Sequence, residues 1–246
     1  MIDTTLKTYA TRQLAAVTLA LGIAASVVLV GVSLARPGPG TTPPTGSDVT
    51  GRPTIVDGDT LHFEGTKVRL EGIDAPEAAQ TCLTQMGHAW PCGAIATREL
   101  GRLIGRNEVR CENRGTDKYG RMLGVCFAGA TELNAEMVRL GHAWAFVKYS
   151  QAYVAVEAEA RQRRTGIWQG PAEPAWDFRA GKWQVAEVKA PEGCAIKGNV
   201  TRNDRIYHMP WSPWYDKIRM DGDKGKRWFC SEDEAVQAGW RPAQSR

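Results

Sequence analysis

Residues 54–70 read Thr54-Ile55-Val56-Asp57-Gly58-Asp59-Thr60-Leu61-His62-Phe63-Glu64-Gly65-Thr66-Lys67-Val68-Arg69-Leu70. Three short β-type runs (Thr54–Val56, Leu61–Phe63 and Lys67–Leu70) are split by Asp-Gly and Glu-Gly turns, the pattern of a hairpin-rich meander. Structure is expected to begin near Val49. Downstream, Cys92 to Ile104 turns helical, with Ile95, Leu100, Leu103 and Ile104 apolar. Val109–Glu112 and Met122–Phe127 read as two more strands, Leu133–Leu140 as a helix ended by Gly141, and Tyr153–Arg164 as a polar helix ended by Gly166. Short strands with helices packed against them make a small closed barrel rather than a parallel sheet.

Outward from this core the chain changes character. Leu14 to Ala35 is an uncharged apolar run, and roughly 20 such residues span a bilayer as a helix. Lys7 and Arg12 precede it, which favours an N-terminus left in the cytoplasm and an exported remainder. Two readings fit residues 1–35: a retained anchor, favoured by the length, or a signal peptide cleaved after Ser33-Leu34-Ala35. Residues 36–47, rich in Pro and Gly, form a spacer. The barrel occupies 48–170, a Trp- and Pro-containing linker 171–192, and a small module 193–246.

Six cysteines agree with an oxidising compartment. Six allow 15 pairings; proximity favours Cys82 with Cys92, Cys111 with Cys126, and Cys194 with Cys230. The last pair would staple the small module, which carries Trp211, Trp214, Trp228 and Trp240. Tryptophans in so small a module chiefly form its core. The formal charge of +4 is too mild to argue for a nucleic-acid partner, and Lys7, Arg12 and Arg36 against Asp3 place part of it in the leader.

Three segments carry chemistry: Asp57-Gly58-Asp59-Thr60, Arg69 to Glu77, and Thr116-Asp117-Lys118-Tyr119-Gly120-Arg121. Each alone is ordinary, a turn, a surface pair of Arg69 with Glu64 or Glu71, or a proline-terminated strand. Together they supply acidic oxygens for a hard cation, a spare carboxylate and two guanidiniums, the requirements for hydrolysing a phosphodiester. His62, His88, His142 and His208 have no partner at metal-ligand spacing and receive no role.

The segments IVDGDT (55–60), VRLEGIDAPE (68–77), TDKYGRMLG (116–124), NAEMVRLGHAWAF (134–146) and EARQRRTGIW (159–168) resemble the staphylococcal nuclease family, from about Val49 to Trp168. The resemblance implies an OB-fold, a five-stranded barrel with three helices, and calcium-dependent cleavage of DNA and RNA that leaves 3′-phosphate ends. It implies that Asp59, Asp74 and the carbonyl of Ala75 hold Ca2+, as suits a cation taking several oxygens in flexible geometry. It further implies that Arg69 and Arg121 grip the phosphate, Glu77 activates the water, and Lys118 and Tyr119 contact a terminal phosphate. Ala75 stands where the family pattern has threonine, which spares a carbonyl ligand but loses a hydroxyl. An insertion from Ala78 to Pro91 replaces the expected loop beside Glu77 and alters access to it. The C-terminal module resembles one appended to some bacterial envelope nucleases. The rival reading is a non-catalytic OB-fold that binds single strands or envelope partners; the presence of all the acids and both arginines favours the enzyme.

Overall fold

The computed structural model describes residues 46–243 other than 203 and 222–224. The apolar segment and most of the spacer therefore lie outside the described residues. Among the described residues no helix is long and apolar enough to cross a membrane.

The elements run β1 (Val49–Gly51), β2 (Thr54–Ile55), β3 (Thr60–Phe63), β4 (Thr66–Leu70), β5 (Ile73–Asp74), β6 (Cys82–Leu83), β7 (Ala89–Trp90), α1 (Cys92–Ile104), β8 (Val109–Thr116), β9 (Met122–Ala128), β10 (Thr131–Glu132), α2 (Leu133–Arg139), β11 (Trp144–Ala145) and α3 (Val154–Arg163). The main sheet has the order β1-β8-β9-β4-β3-β2. Its two outer strands are consecutive in the chain, separated only by Arg52 and Pro53. One bent N-terminal segment thus pairs with β8 at one edge and β3 at the other, which closes the sheet as an OB-fold barrel. Proline has no amide hydrogen to give a ladder, so the break falls there. This break, with the short β5, β10 and β11 and the β6–β7 pair, is why there are more strand segments than the five expected.

The barrel's inside is apolar. Strand β9 alternates buried and half-buried side chains along its whole length, as a one-sided strand must. Its inward residues meet Leu61, Val68 and Leu70, and α1 covers them with Ala96, Leu100 and Ile104 at four-residue spacing. Cys111 and Cys126 face each other across the β8–β9 ladder and are bonded, as are Cys82 with Cys92 and Cys194 with Cys230.

The residues expected to be a linker carry instead a 15-residue helix, α4 (Ala175–Lys189). The prolines that suggest a connector bracket this helix: Pro174 caps its start and Pro191 follows its end. Proline is excluded from a helix interior but not from its flanks. Beyond it, β12 (Ile196–Val200), β13 (Arg205–His208), β14 (Arg227–Phe229), the short helix α5 (Glu232–Gln237) and β15 (Arg241–Pro242) build the small module. Its sheet has the order β14-β12-β13-β15, and the Cys194–Cys230 bond joins the ends of β12 and β14. Trp240 is buried against Phe229 in its core, whereas Trp214 is 39% exposed.

Two stability predictions follow from this packing. Replacing Cys111 and Cys126 together by alanine removes a crosslink of sequence separation 15 and lowers the unfolding free energy by about 3 kcal/mol in denaturant titration. His208, opposite Lys197 on the module's sheet, is buried with Nδ1 unpartnered. Burial, then the Lys197 charge, depresses its imidazole to about 4. A depressed group contributes stability that is present above its unfolded value, near 6.5, and lost as pH falls through the folded one. Wild type therefore loses about 3 kcal/mol more than His208→Gln between pH 7 and pH 4, measured by the same titration.

Candidate active site

Site geometry starts in the turn before β3. The Asp57 carboxylate accepts the Asp59 amide at 3.1 Å, closing an Asx turn. Gly58 has no room for a side chain, since a Cβ would stand 2.8 Å from that of Ala75 and 2.9 Å from that of Ala96. The turn is thereby pressed between the end of β5 and α1. Asp59 is buried: its Oδ1 accepts from the Thr60 hydroxyl at 3.0 Å and from Arg69 Nη1 at 2.9 Å, and its Oδ2 from the Ala75 amide at 2.9 Å.

The β3–β4 register sets Thr60 opposite Arg69. This places the Arg69 guanidinium beside Asp59, and its Nη2 donates to Asp74 Oδ1 at 2.7 Å. A single arginine thus spans two carboxylates, in place of a surface pair with Glu64 or Glu71. Asp74 is fully buried, on β5 where it pairs with Trp144 of β11.

Glu77 is held by its backbone. Its amide donates to the Gln80 side chain at 3.1 Å, and its carbonyl accepts from the Gln80 amide at 2.7 Å. A Cβ on Gly93 would lie 1.7 Å from that carbonyl, so α1 begins directly against Glu77. The insertion forms the β6–β7 hairpin, tied to α1 by the Cys82–Cys92 bond. Gln80 also reaches the Glu173 carbonyl at 2.7 Å, which ties the insertion to the residues entering α4.

From α4 comes a residue that sequence reading missed. Arg179 donates from Nη2 to Asp74 Oδ2 at 2.7 Å, and from Nη1 to Asp74 Oδ1 at 3.1 Å and Glu77 Oε1 at 2.8 Å. Its partners lie 105 and 102 positions away in sequence, so no local pattern marks it. Gln80 was missed as well; its contact with Glu77 is local, and only its contact with Glu173 is distant in sequence.

Arg121 immediately precedes β9, its Nε 2.7 Å from Asp117 Oδ2. Asp117 also accepts the amides of Tyr119 and Arg121, each at 2.9 Å. The Tyr119 ring lies 4.7 Å from Lys118 Nζ and 5.4 Å from the Arg121 guanidinium carbon. Lys118, Tyr119 and Arg121 therefore form one cationic and aromatic turn beside the acidic cluster rather than in it. The charge of Arg121 still acts on Asp59.

Electrostatics divide the acids. Burial works to raise Asp59, but Arg69, the Ala75 amide, Arg179 and Arg121 hold it below the usual carboxylate range. Burial, then the Asp59 charge, raises Asp57 to about 6. Burial outweighs Arg179 at Glu77 and raises it to about 8. Fully ionised, Asp57, Asp59, Asp74 and Glu77 would outnumber the two contacting guanidiniums of Arg69 and Arg179. The hard-oxygen donors and the shortage of positive charge fit a divalent cation such as calcium. Among the described residues, no group of three or more acids, histidines or cysteines already surrounds one ion position; the oxygens of Asp59 and Asp74 are turned toward arginines.

Residues 67–170 match the family described as staphylococcal nuclease homologue, and residues 178–242 match that described as ArfC. Micrococcal nuclease of Shigella flexneri is 37% identical over 143 residues, covering 51% of this chain and 76% of the relative. An uncharacterized endonuclease of Haemophilus influenzae is 34% identical over 141 residues, 54% of this chain and 74% of its own length. Succinoglycan biosynthesis protein ExoI of Rhizobium meliloti is 31% identical over 137 residues, 54% and 72% respectively.

Removing Arg69 leaves two buried carboxylates short of their shared counter-charge. Arg69→Gln is expected to cost about 3–5 kcal/mol in denaturant unfolding with a chelator present. The double substitution Arg69→Gln with Asp74→Asn recovers part of that loss.

Proposed function

The chain belongs to the staphylococcal nuclease family, and on that premise we propose that it is an exported, calcium-dependent endonuclease that cuts DNA and RNA with little sequence preference. One observation carries this reading: Asp59, Arg69, Asp74 and Glu77 share a single hydrogen-bonded cluster, with Arg121 close enough to act on Asp59. Relatives named as a nuclease and an endonuclease support the reaction class.

In this reading Asp59, Asp74 and the Ala75 carbonyl would hold calcium, which would supply Lewis-acid charge to the reaction. Glu77 takes a proton from the attacking water. In the metal-free protein burial holds its carboxyl up at about 8; it must be ionised to act as the base, a form that a divalent cation beside it favours. Arg69 and Arg121 present forked N–H donors to the phosphate oxygens, where negative charge gathers in the transition state. Lys118 and Tyr119 contact a terminal phosphate from their turn. Attack breaks the bond to the 5′-oxygen, which takes a proton from solvent and leaves as a 5′-hydroxyl, with a 3′-phosphate on the other end.

Residues 48–170 are assigned to catalysis, 171–192 to the junction and 193–246 to an accessory module. Export is supported by the three disulfides, which persist in oxidising compartments. The N-terminal segment would either hold the protein at the membrane with its bulk outside the cytoplasm or be cleaved to release it.

Digestion of plasmid DNA by the full-length protein, with calcium or with chelator, tests the assignment. Cutting is expected only with calcium, and Asp59→Ala, Arg69→Gly and Glu77→Gln should each lose several orders of magnitude in rate. Cutting untouched by chelator would overturn the metal assignment. Single-strand binding without any cutting would replace the enzyme by a binding module.

A further inference from the structure

One cation in the acidic cluster comes from outside the nuclease match. Arg179 lies in the 178–242 segment that matches ArfC, yet it bonds both Asp74 and Glu77. Its helix is clamped at two points. Trp176 stacks on Phe146 at 5.4 Å with an interplanar angle of 5°, and meets Trp144 edge-on at 6.1 Å. Trp183 packs against the module's core of Ile196, Tyr207, Phe229 and Trp240. Trp176, Arg179 and Trp183 are three and four residues apart in turn, so they lie along one face of α4. Docking the two tryptophans aims the guanidinium between them at the acids. The Gln80 bond to Glu173 fixes the entry to the helix on the same side.

We propose that Arg179 is a tethered competitor of the divalent cation: guanidinium and ion occupy the Asp74 oxygens in turn, and α4 thereby sets the calcium concentration the site requires. This rests on the reading of the cluster as a calcium site. Both Asp74 oxygens are within 3.1 Å of Arg179 nitrogens. An ion on those same lone pairs would crowd a second positive charge against the guanidinium where water screens little. Being tethered, the guanidinium competes without the translational cost of a free cation. Its side chain is 20% exposed, so a turn of the side chain toward solvent vacates the acids while the docked backbone stays in place. Arg69 differs, since it also bonds Asp59 and lies within the nuclease match.

Calcium titrated calorimetrically into the full-length protein decides the matter. Arg179→Gln is expected to bind calcium at least about tenfold more tightly than wild type, equivalent to about 1.4 kcal/mol, and to reach half-maximal cutting at correspondingly lower calcium. Arg179→Lys, which keeps the charge but not the fork, is expected to fall between them. Lys182→Gln removes a cation from the exposed surface of the same helix and should stay within about twofold of wild type; a tenfold gain there would make the effect one of general charge and overturn the proposal. Circular dichroism checks folding, and Arg179→Lys carries the test if Arg179→Gln does not fold. Unchanged or weaker calcium affinity in the folded Arg179 variant overturns the competitor role while leaving the calcium reading intact. No calcium binding by any of the proteins overturns both.

Discussion

Buried carboxylates need counter-charge, and that requirement organises the catalytic end of this protein. Asp59 and Asp74 are almost wholly removed from water, and a lone carboxylate in such a place would take up a proton. Arg69 bonds both at once and helps hold Asp59 below the usual carboxylate range, and the ladder that sets Thr60 against Arg69 makes the bridge possible. Burial pushes Asp57 and Glu77 upward, the Asp59 charge adding to it at Asp57. The cluster is therefore both a point of stored electrostatic cost and a place prepared for cations. Replacing any one charge disturbs all the others.

The surroundings of the cluster are correspondingly overdetermined. Gly58 and Gly93 let the Asp57–Asp59 turn and the Glu77 backbone press against α1 at distances no side chain would permit. The Cys82–Cys92 bond and the Gln80 contacts hold the insertion against the residues that enter α4. Helix α4 then shares Trp176 with one core and Trp183 with the other. A segment that appears to separate two modules instead packs against both, so the accessory module is coupled mechanically to the acids. Family matches that end at residue 170 and resume at 178 divide the chain where its packing does not.

Much of this was open to reading in advance. The Asp-Gly and Glu-Gly turns, the apolar Ile95, Leu100, Leu103 and Ile104 of α1 and the helix-ending glycines 141 and 166 are local signals, and the elements they mark lie where expected within a residue or two. Cys111 and Cys126 were pairable because the two strands are neighbours in sequence and antiparallel. By contrast, the closure of the barrel through a break at Arg52-Pro53 depends on two edges meeting. The helix at 175–189 was hidden by prolines that prove to flank it, since composition does not reveal on which side of a boundary a proline falls.

By itself the sequence determined the kind of chemistry: which acids and arginines are present, on which turns, and in an order that matches a nuclease family. Residue type and local spacing suffice for that, because each motif forms within a few residues of itself. Only the tertiary structure decided which charges neutralise which. It turned Arg69 inward to two aspartates rather than outward to Glu64 or Glu71, kept Arg121 with Asp117, and brought Arg179 from a distant helix onto Asp74 and Glu77. Ion pairing depends on distance and burial in three dimensions, and neither is encoded in separation along the chain.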